Sequence, residues 1–426
     1  MPAQAFTMKI NRELFRGIFT LATGTASAQL IAILLQPLLR RIFPPSDFGA
    51  YAVYLSLTGI LAVVATFRYE PAIVQPTKKG DAVNLAFLAF YINLIFCLLL
   101  TALAWIFHKP LATFLNLADP YVSWLLLVPA GVFLLGTYQT MNYFLIRQKA
   151  FRAISFNKGM RRLGEGAVQL TAGHFMLGVG LVLGDIGGQL INVFSGMRQI
   201  VRKGFSFRLH SLSRQRALAL EYADHPLYYM GPMALNVICL MLPIIFVNKF
   251  YSQEIAGYFD LTRLVLVVPA AILTMSVGQV FLQTITEKKR LNLDLRSDFL
   301  QLLWVLLAIA AVKILVLTLA GPQLLAWYAG PPYLEAGRYA QILVWGSAIR
   351  TVVSPLSMVF VGLRKLRMQA IWQITYFVLI CLLPFFSHLG IFDFILLLTG
   401  IELLAYGLNF VLVWHILKAH HKDNHK

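Results

Sequence analysis

The sequence is poor in charge. Of its 426 residues only 13% are Asp, Glu, Lys or Arg, about half the share found in a soluble globular domain. Acids are the scarcer sign: 18 Asp and Glu stand against 36 Lys and Arg, for a net charge of +18. Cysteine is nearly absent. Cys97, Cys239 and Cys381 each lie inside an apolar run, without CxxC or metal-like spacing, which excludes a disulfide framework or a zinc site and leaves small core residues. No Gly-rich loop ending in Lys-Ser/Thr is present, so no ATPase domain is expected. The histidines are scattered, and His420, His421 and His425 form a C-terminal tail better read as solvated than as metal-binding. No catalytic motif, metal site or cofactor site is therefore expected. No external loop is long enough to fold as a catalytic domain.

Apolar residues dominate instead. They make up 59% of the chain, and the mean hydropathy is +0.72. Many long apolar runs point to helices that span a bilayer rather than to a barrel. Counting about 20 residues per span predicts twelve helices, near 17–39, 47–67, 82–107, 121–145, 154–175, 178–198, 227–248, 255–282, 299–320, 336–362, 369–388 and 391–416. The apolar run after Arg16 passes through Thr25-Ala26-Ser27-Ala28 to Leu39 unbroken, which favours an uncleaved first span over a signal peptide. Very short connectors at Met176-Leu177 and Leu389-Gly390 predict tight antiparallel hairpins over 154–198 and 369–416.

The cations fall unevenly between the two sets of loops. Lys9 to Arg16, Arg68 to Lys79, Arg147 to Arg152, Arg198 to Arg216, Lys288 to Arg296, Arg364 to Arg367 and Lys418 to Lys426 place 25 Lys and Arg on one side. Arg40, Arg41, Lys109, Lys249 and Arg338 place 5 on the other. By the positive-inside rule both termini are cytoplasmic. The same bias accounts for the basic charge, so no nucleic-acid partner is expected.

The organising stretch is 40–76, RRIFPPSDFGAYAVYLSLTGILAVVATFRYEPAIVQP: a helix end, a Pro-Pro turn, a second helix and an Arg-Tyr-Glu exit. An echo returns near residue 250. Asp47-Phe48-Gly49-Ala50-Tyr51 aligns with Glu254-Ile255-Ala256-Gly257-Tyr258 at an offset of 207, and Pro37 matches Pro243 within one residue. The expected architecture is an all-α polytopic membrane protein with about twelve transmembrane helices. Its two six-helix lobes are related by a pseudo-two-fold axis along the membrane normal, because an even number of spans makes the repeats parallel. The expected division is 1–200, a cytoplasmic linker over 201–225, and 226–426. RLHSLSRQRALALEYADHP in the linker has the charge pattern of a short interfacial helix.

Six cations remain inside spans: Lys158, Arg161, Arg162, Arg263, Lys313 and Arg350. The intramembrane acids are Glu165, Asp185, Asp260 and Glu402. One such charge costs about 2.5–3.5 kcal/mol at a helix centre on insertion scales, so each calls for a partner or a wet cavity. Arg161 with Glu165 and Asp260 with Arg263 have the spacing to meet on one helix face, and mutual neutralisation is the plain reading. Arg350 and Lys313 have no acid at helical spacing, which makes them better candidates for an anionic cargo, although Lys313 and Lys158 can also snorkel to an interface. The guanidinium fork matches phosphate oxygens.

FPPSDFGAYAVYLSLTGILAVVATFRYEPAIV, GVGLVLGDIGGQLI, YADHPLYYMGPMALNVICLMLPIIFVNKFYSQEIAGYF and VPAAILTMSVGQVF resemble polysaccharide-biosynthesis membrane proteins. These are the lipid-linked oligosaccharide (O-antigen, Wzx-type) flippases of the multidrug/oligosaccharidyl-lipid/polysaccharide exporter superfamily. The resemblance runs from about residue 16 to 365. It implies two lobes facing each other in a V around a cationic cavity. It also implies export of an undecaprenyl-pyrophosphate-linked glycan across the bacterial inner membrane, with membrane lipids, a polysaccharide polymerase and a chain-length regulator as partners. In that picture Arg68, Arg161, Arg162, Arg263, Lys313 and Arg350 are candidates for the cargo's charge, and Asp260, Glu165 and Glu70 for ion coupling. Arg68 and Glu70 equally suit a structural pair. The alternatives are an ion-coupled multidrug antiporter of the same superfamily, or a polysaccharide polymerase. An antiporter for cationic drugs calls for a surplus of buried acids, and a polymerase calls for a large external loop.

Overall fold

A computed structural model describes residues 12–424 apart from Met176 and Asn292. The side chains at 12–22, 272, 273, 275, 276 and 420–424 are not described. Lys9, Arg12, Arg16, Lys422, Lys426 and the three tail histidines thus contribute no side-chain facts, and Met176 of the first expected hairpin also lies outside the described residues.

Twelve long helical rods carry the described chain: α1 (Arg12–Ile42), α2 (Pro45–Val64), α3 (Lys79–Leu115), α4 (Asp119–Arg147), α5 (Phe151–His174), α6 (Gly180–Arg202), α7 (His225–Phe250), α8 (Gln253–Arg290), α9 (Arg296–Ala329), α10 (Pro331–Gly362), α11 (Leu366–Phe386) and α12 (Ile391–Asn424). Each corresponds to one expected span. Several run past their apolar run. The α3 rod continues through Pro110 to Leu115, and α9 through Pro322 to Ala329, because backbone hydrogen bonding extends a helix beyond the hydrocarbon. Among the described residues, eight rods are apolar and long enough to cross a membrane. Interior charge lies on three of the other rods: Lys158, Arg161, Arg162 and Glu165 on α5, Asp185 on α6, and Asp260 and Arg263 on α8.

Rods α1–α6 pack on one another, and so do α7–α12, each half around its own buried side chains. Phe144, Leu145, Ile154 and Leu85 are buried in the first half, and Phe299, Phe360, Phe394 and Tyr333 in the second. The α5/α6 and α11/α12 pairs pack as the expected hairpins. Burying one such Phe or Leu contributes about 1.5–3 kcal/mol in water. Within a bilayer the gain comes from close packing instead.

A second echo accompanies the first. Pro110, Pro120 and Tyr121 match Pro322, Pro332 and Tyr333 at an offset of 212. In both halves a long helix runs through the first proline, and the next rod restarts around the second.

Residues 203–224 join the halves, with a short helix at Leu212–Glu221 started by the Ser211 cap. This connection is fastened to the first half. Arg214 forks onto Asp81 at 2.7 and 3.0 Å. Asn84 donates to Leu209 O at 2.9 Å and accepts from Ser211 N at 2.8 Å, and Tyr69 Oη donates to Ala219 O at 2.9 Å.

The halves meet along α2, which lies against α7 and α8. The contact is tightest where α2 and α8 begin. A Cβ on Gly49 would overlap the carbonyl oxygen of Gln253, and a Cβ on Gly257 would overlap that of Pro45. Only glycine permits this mutual approach, and both glycines stand in the repeated pentapeptide. Side chains then satisfy helix-end carbonyls across the seam, groups that otherwise lack a partner. Asn248 Nδ2 donates to Leu115 O at 2.7 Å, Gln253 Nε2 to Asn116 O, and Arg41 Nη2 to Trp327 O at 3.3 Å. Tyr328 Oη donates at 2.5 Å to Ile33 O inside α1, a carbonyl left without its helical donor because Pro37 stands four residues on. All four contacts lie toward the end of the bundle that carries the α1–α2 turn, opposite the end that carries the 203–224 connection.

Candidate functional site

Interior charge collects in three places. The first is the seam. Arg40 at the end of α1 has a side chain 0% exposed and pairs with Asp260 of α8 at 2.5 Å. Its Nε donates to Gln36 Oε1 at 2.9 Å, and its Nη1 to Gly257 O at 3.3 Å. The guanidinium sits 4.0 Å from the Phe48 ring centroid and 5.1 Å from that of Tyr333, so its faces are covered by π-clouds. The loop count places Arg40 outside the spans, and helical spacing pairs Asp260 with Arg263. The structure corrects both points: the cation is fully buried, and the acid turns to it across the seam.

The second cluster lies within the first half, between α2, α5 and α6. Arg161 pairs with Asp185 at 3.1 Å, and Arg162 with Glu165 at 2.8 Å. Tyr51 Oη donates to Glu165 at 3.4 Å, and Tyr54 Oη to Asp185 at 3.5 Å. The expected Arg161–Glu165 partnership is replaced. Arg162 takes Glu165 one turn on, and Arg161 reaches Asp185 across the hairpin. Two cations meet two acids, so this cluster is balanced. Lys158 donates to Thr25 Oγ1 of α1 at 2.8 Å instead of snorkelling.

The third cluster lies within the second half. Arg263, Arg350, Ser347, Tyr376 and Glu402 help to line a small recess enclosed by α7, α8, α10, α11 and α12. Glu402 of α12 accepts from Arg350 Nη2 of α10. Gly346, one turn before Arg350, makes room: a Cβ there would overlap Glu402 Oε2. Arg350 thus has an acid partner that helical spacing could not reveal. Arg263 Nη2 donates to Leu240 O of α7. Lys313 Nζ donates to Ser347 Oγ at 2.5 Å, to Leu266 O at 3.0 Å and to Thr351 Oγ1 at 3.5 Å, so it turns inward rather than toward an interface. Three cations stand here against one carboxylate, and among the described residues neither Arg263 nor Lys313 forms an ion pair.

Arg68 and Glu70 lie apart from these clusters, in the bend after α2. Phe67 and Arg68 have φ of 49° and 58°, left-handed positions that cost a non-glycine residue about 1–3 kcal/mol each. The bend brings Arg68 Nη1 to 2.9 Å from Glu70, whose side chain is 0% exposed, while Thr66 Oγ1 donates to the other oxygen. Burial pushes the Glu70 carboxyl up from its ordinary value, against the pull of Arg68 and Thr66.

The six candidate cations therefore do not converge on one cavity. Four of them hold a carboxylate, and the surplus charge sits inside the second half. Arg40, Tyr51, Tyr54, Ser347 and the roles of Asp185 and Glu402 were missed. Only the Gln36–Arg40 spacing hinted at the first of these. Among the described residues no cluster of His, Cys, Asp and Glu suits a metal ion.

Residues 38–335 match the profile of a family described as polysaccharide biosynthesis protein. A relative in Rhizobium meliloti (strain 1021), named succinoglycan biosynthesis transport protein ExoT, is 25% identical over 366 residues, covering 78% of this chain and 70% of the relative. Among solved structures the fold is similar to the lipid II flippase MurJ in an inward closed conformation, with TM-score 0.74, 12% identity, and coverage of 95% of this chain and 90% of that one. It is also similar to an inward-facing multidrug resistance MATE family transporter of the MOP superfamily, with TM-score 0.72, 14% identity, and coverage of 94% and 99%. The twelve-rod, two-lobed architecture is the one these transporters share. The chain belongs to the polysaccharide biosynthesis protein family, and it is a multi-pass membrane protein with the fold of the MurJ and MATE transporters.

Proposed function

We propose that the protein moves an undecaprenyl-pyrophosphate-linked oligosaccharide from the cytoplasmic to the external leaflet of the bacterial inner membrane by alternating access. The observation that carries this reading is the seam. Two separately packed halves touch most closely where the glycine-bearing starts of α2 and α8 cross. The Lys and Arg bias puts the 203–224 connection and both termini in the cytoplasm, so the seam closes the external end. Rocking of one half against the other would open it and close the cytoplasmic end. The glycan would cross between the halves while its polyprenyl tail stays in lipid.

Asp260 is the coupling acid this arrangement favours, because its protonation would release Arg40 and loosen the seam. Glu165 and Glu70 each hold an arginine within the first half and act there as local pairs. The positive surplus of the second half opposes the antiporter reading, which calls for buried acids in excess. A polymerase and a chain-length regulator would act on the glycan after it emerges.

The test is the sidedness of lipid-linked glycan in cells lacking the protein. Single lipid-linked units should accumulate on the inner leaflet. Accumulation on the outer leaflet would point to a polymerase. Loss of drug resistance with surface glycan intact would point to an antiporter.

A further inference from the structure

We propose that the recess inside the second half is a binding site for one small inorganic anion of halide size, held between Arg263 and Arg350 and backed by Lys313. This goes beyond the transport reading and does not depend on the identity of the cargo.

Three observations carry it. The first is the local charge: Arg263 and Arg350 line the recess with Lys313 behind them, Glu402 is the one lining carboxylate, and the next acid, Asp260, is already paired with Arg40, whereas the cluster in the first half pairs two arginines with two acids. A buried cation without a counter-charge is held at a penalty that a bound anion removes. The second is unused donor capacity. A guanidinium carries five N–H groups. Arg263 donates to Leu240 O, and Arg350 donates to Glu402. Arg350 Nε is buried without a partner. Both arginines line the same recess. Lys313 is saturated by neutral oxygens and the Ser347 hydroxyl donates in turn to Leu266 O, so Lys313 contributes charge behind the recess and no free donor.

Size is the third. Behind its mouth the recess has room for about two or three water molecules. A monatomic anion fits that space, and a diphosphate with its sugar does not. The cargo headgroup therefore has to travel between the halves, and the recess serves a separate, resident ion. With one monovalent anion bound, the cluster still keeps a positive balance, so the site does not cancel the preference for an anionic cargo.

The test uses the purified full-length protein in detergent, exchanged into gluconate at constant ionic strength. Added chloride or bromide should raise the melting temperature saturably, and crystals grown in bromide should show one anomalous peak between Arg263 and Arg350. Arg263→Gln should weaken halide binding by about 10- to 100-fold, the loss of one charged hydrogen bond. Arg338→Gln, in an exposed pair with Glu335, should leave it unchanged. Three results would overturn the proposal: no saturable halide effect and no peak in the unaltered protein, an effect untouched by Arg263→Gln, or stabilisation by phosphate and diphosphate but not by halide. The last would make the recess a phosphate subsite. Failure here would leave the leaflet assay unaffected, so the two readings fall separately.

Discussion

Arg350 and Glu402 show how a buried pair should respond to change. Removing one partner leaves an unpaired charge in a closed interior, at a cost of about 3–5 kcal/mol. Glu402→Ala should therefore lower the melting temperature sharply. Adding Arg350→Leu should recover most of the loss, since an apolar pair tolerates burial. Melting of the two variants in one detergent checks this. The Arg68–Glu70 pair should follow the same rule: Arg68→Ala strands Glu70 and destabilises, while the double change with Glu70→Gln does not. Because burial raises the Glu70 pKa, the sign for pH is fixed. The contribution of this group to stability is greatest when it is protonated, below its unfolded value, and is lost as pH rises through the raised folded value. Glu70→Gln should therefore flatten the stability profile on the acid side. At this scale the sequence was readable only within one helix. The i,i+3 and i,i+4 rules find pairs such as Arg162–Glu165. They cannot see Arg161 reaching Asp185 on the next helix, Arg350 reaching Glu402, or Arg40 crossing to Asp260, because those meetings depend on which rods pack together.

At the scale of elements, the crossing of α2 and α8 depends on small residues at both contact points. Gly49→Leu or Gly257→Leu would drive a side chain into the opposing backbone carbonyl. Each variant should insert at normal levels, since its own half keeps its packing, yet lose most glycan export through a seam that no longer closes. Complementation at matched protein level measures this. Full export by both variants would mean that the close crossing is dispensable. All twelve rods were expected from the sequence, and the first pentapeptide echo marked two equivalent helix starts without saying that they touch. Rod ends were less legible, because α3 and α9 continue through Pro110 and Pro322. Those prolines belong to the second echo, at offset 212, which marks where each half turns back.

Over the whole molecule, the two halves share a plan but differ in charge. The first half neutralises its arginines, and the second keeps a positive surplus beside Arg263. Composition announced a basic membrane protein but could not say where that surplus would lie, since spans read one by one show charge and not enclosure. The fold is the one known transporters use, and under the proposed alternating access the end closed by the seam would have to part in each cycle. Arg41 and Trp327 stand at the exposed rim of that seam, joined from side chain to backbone carbonyl. Cysteines placed at these two positions, in a chain whose three native cysteines are replaced by alanine and which still exports glycan, can be tied by a reducible bis-thiosulfonate linker. Translocation of lipid-linked glycan should stop while the linker is in place and return on reduction. Undiminished translocation with the linker intact would contradict the account.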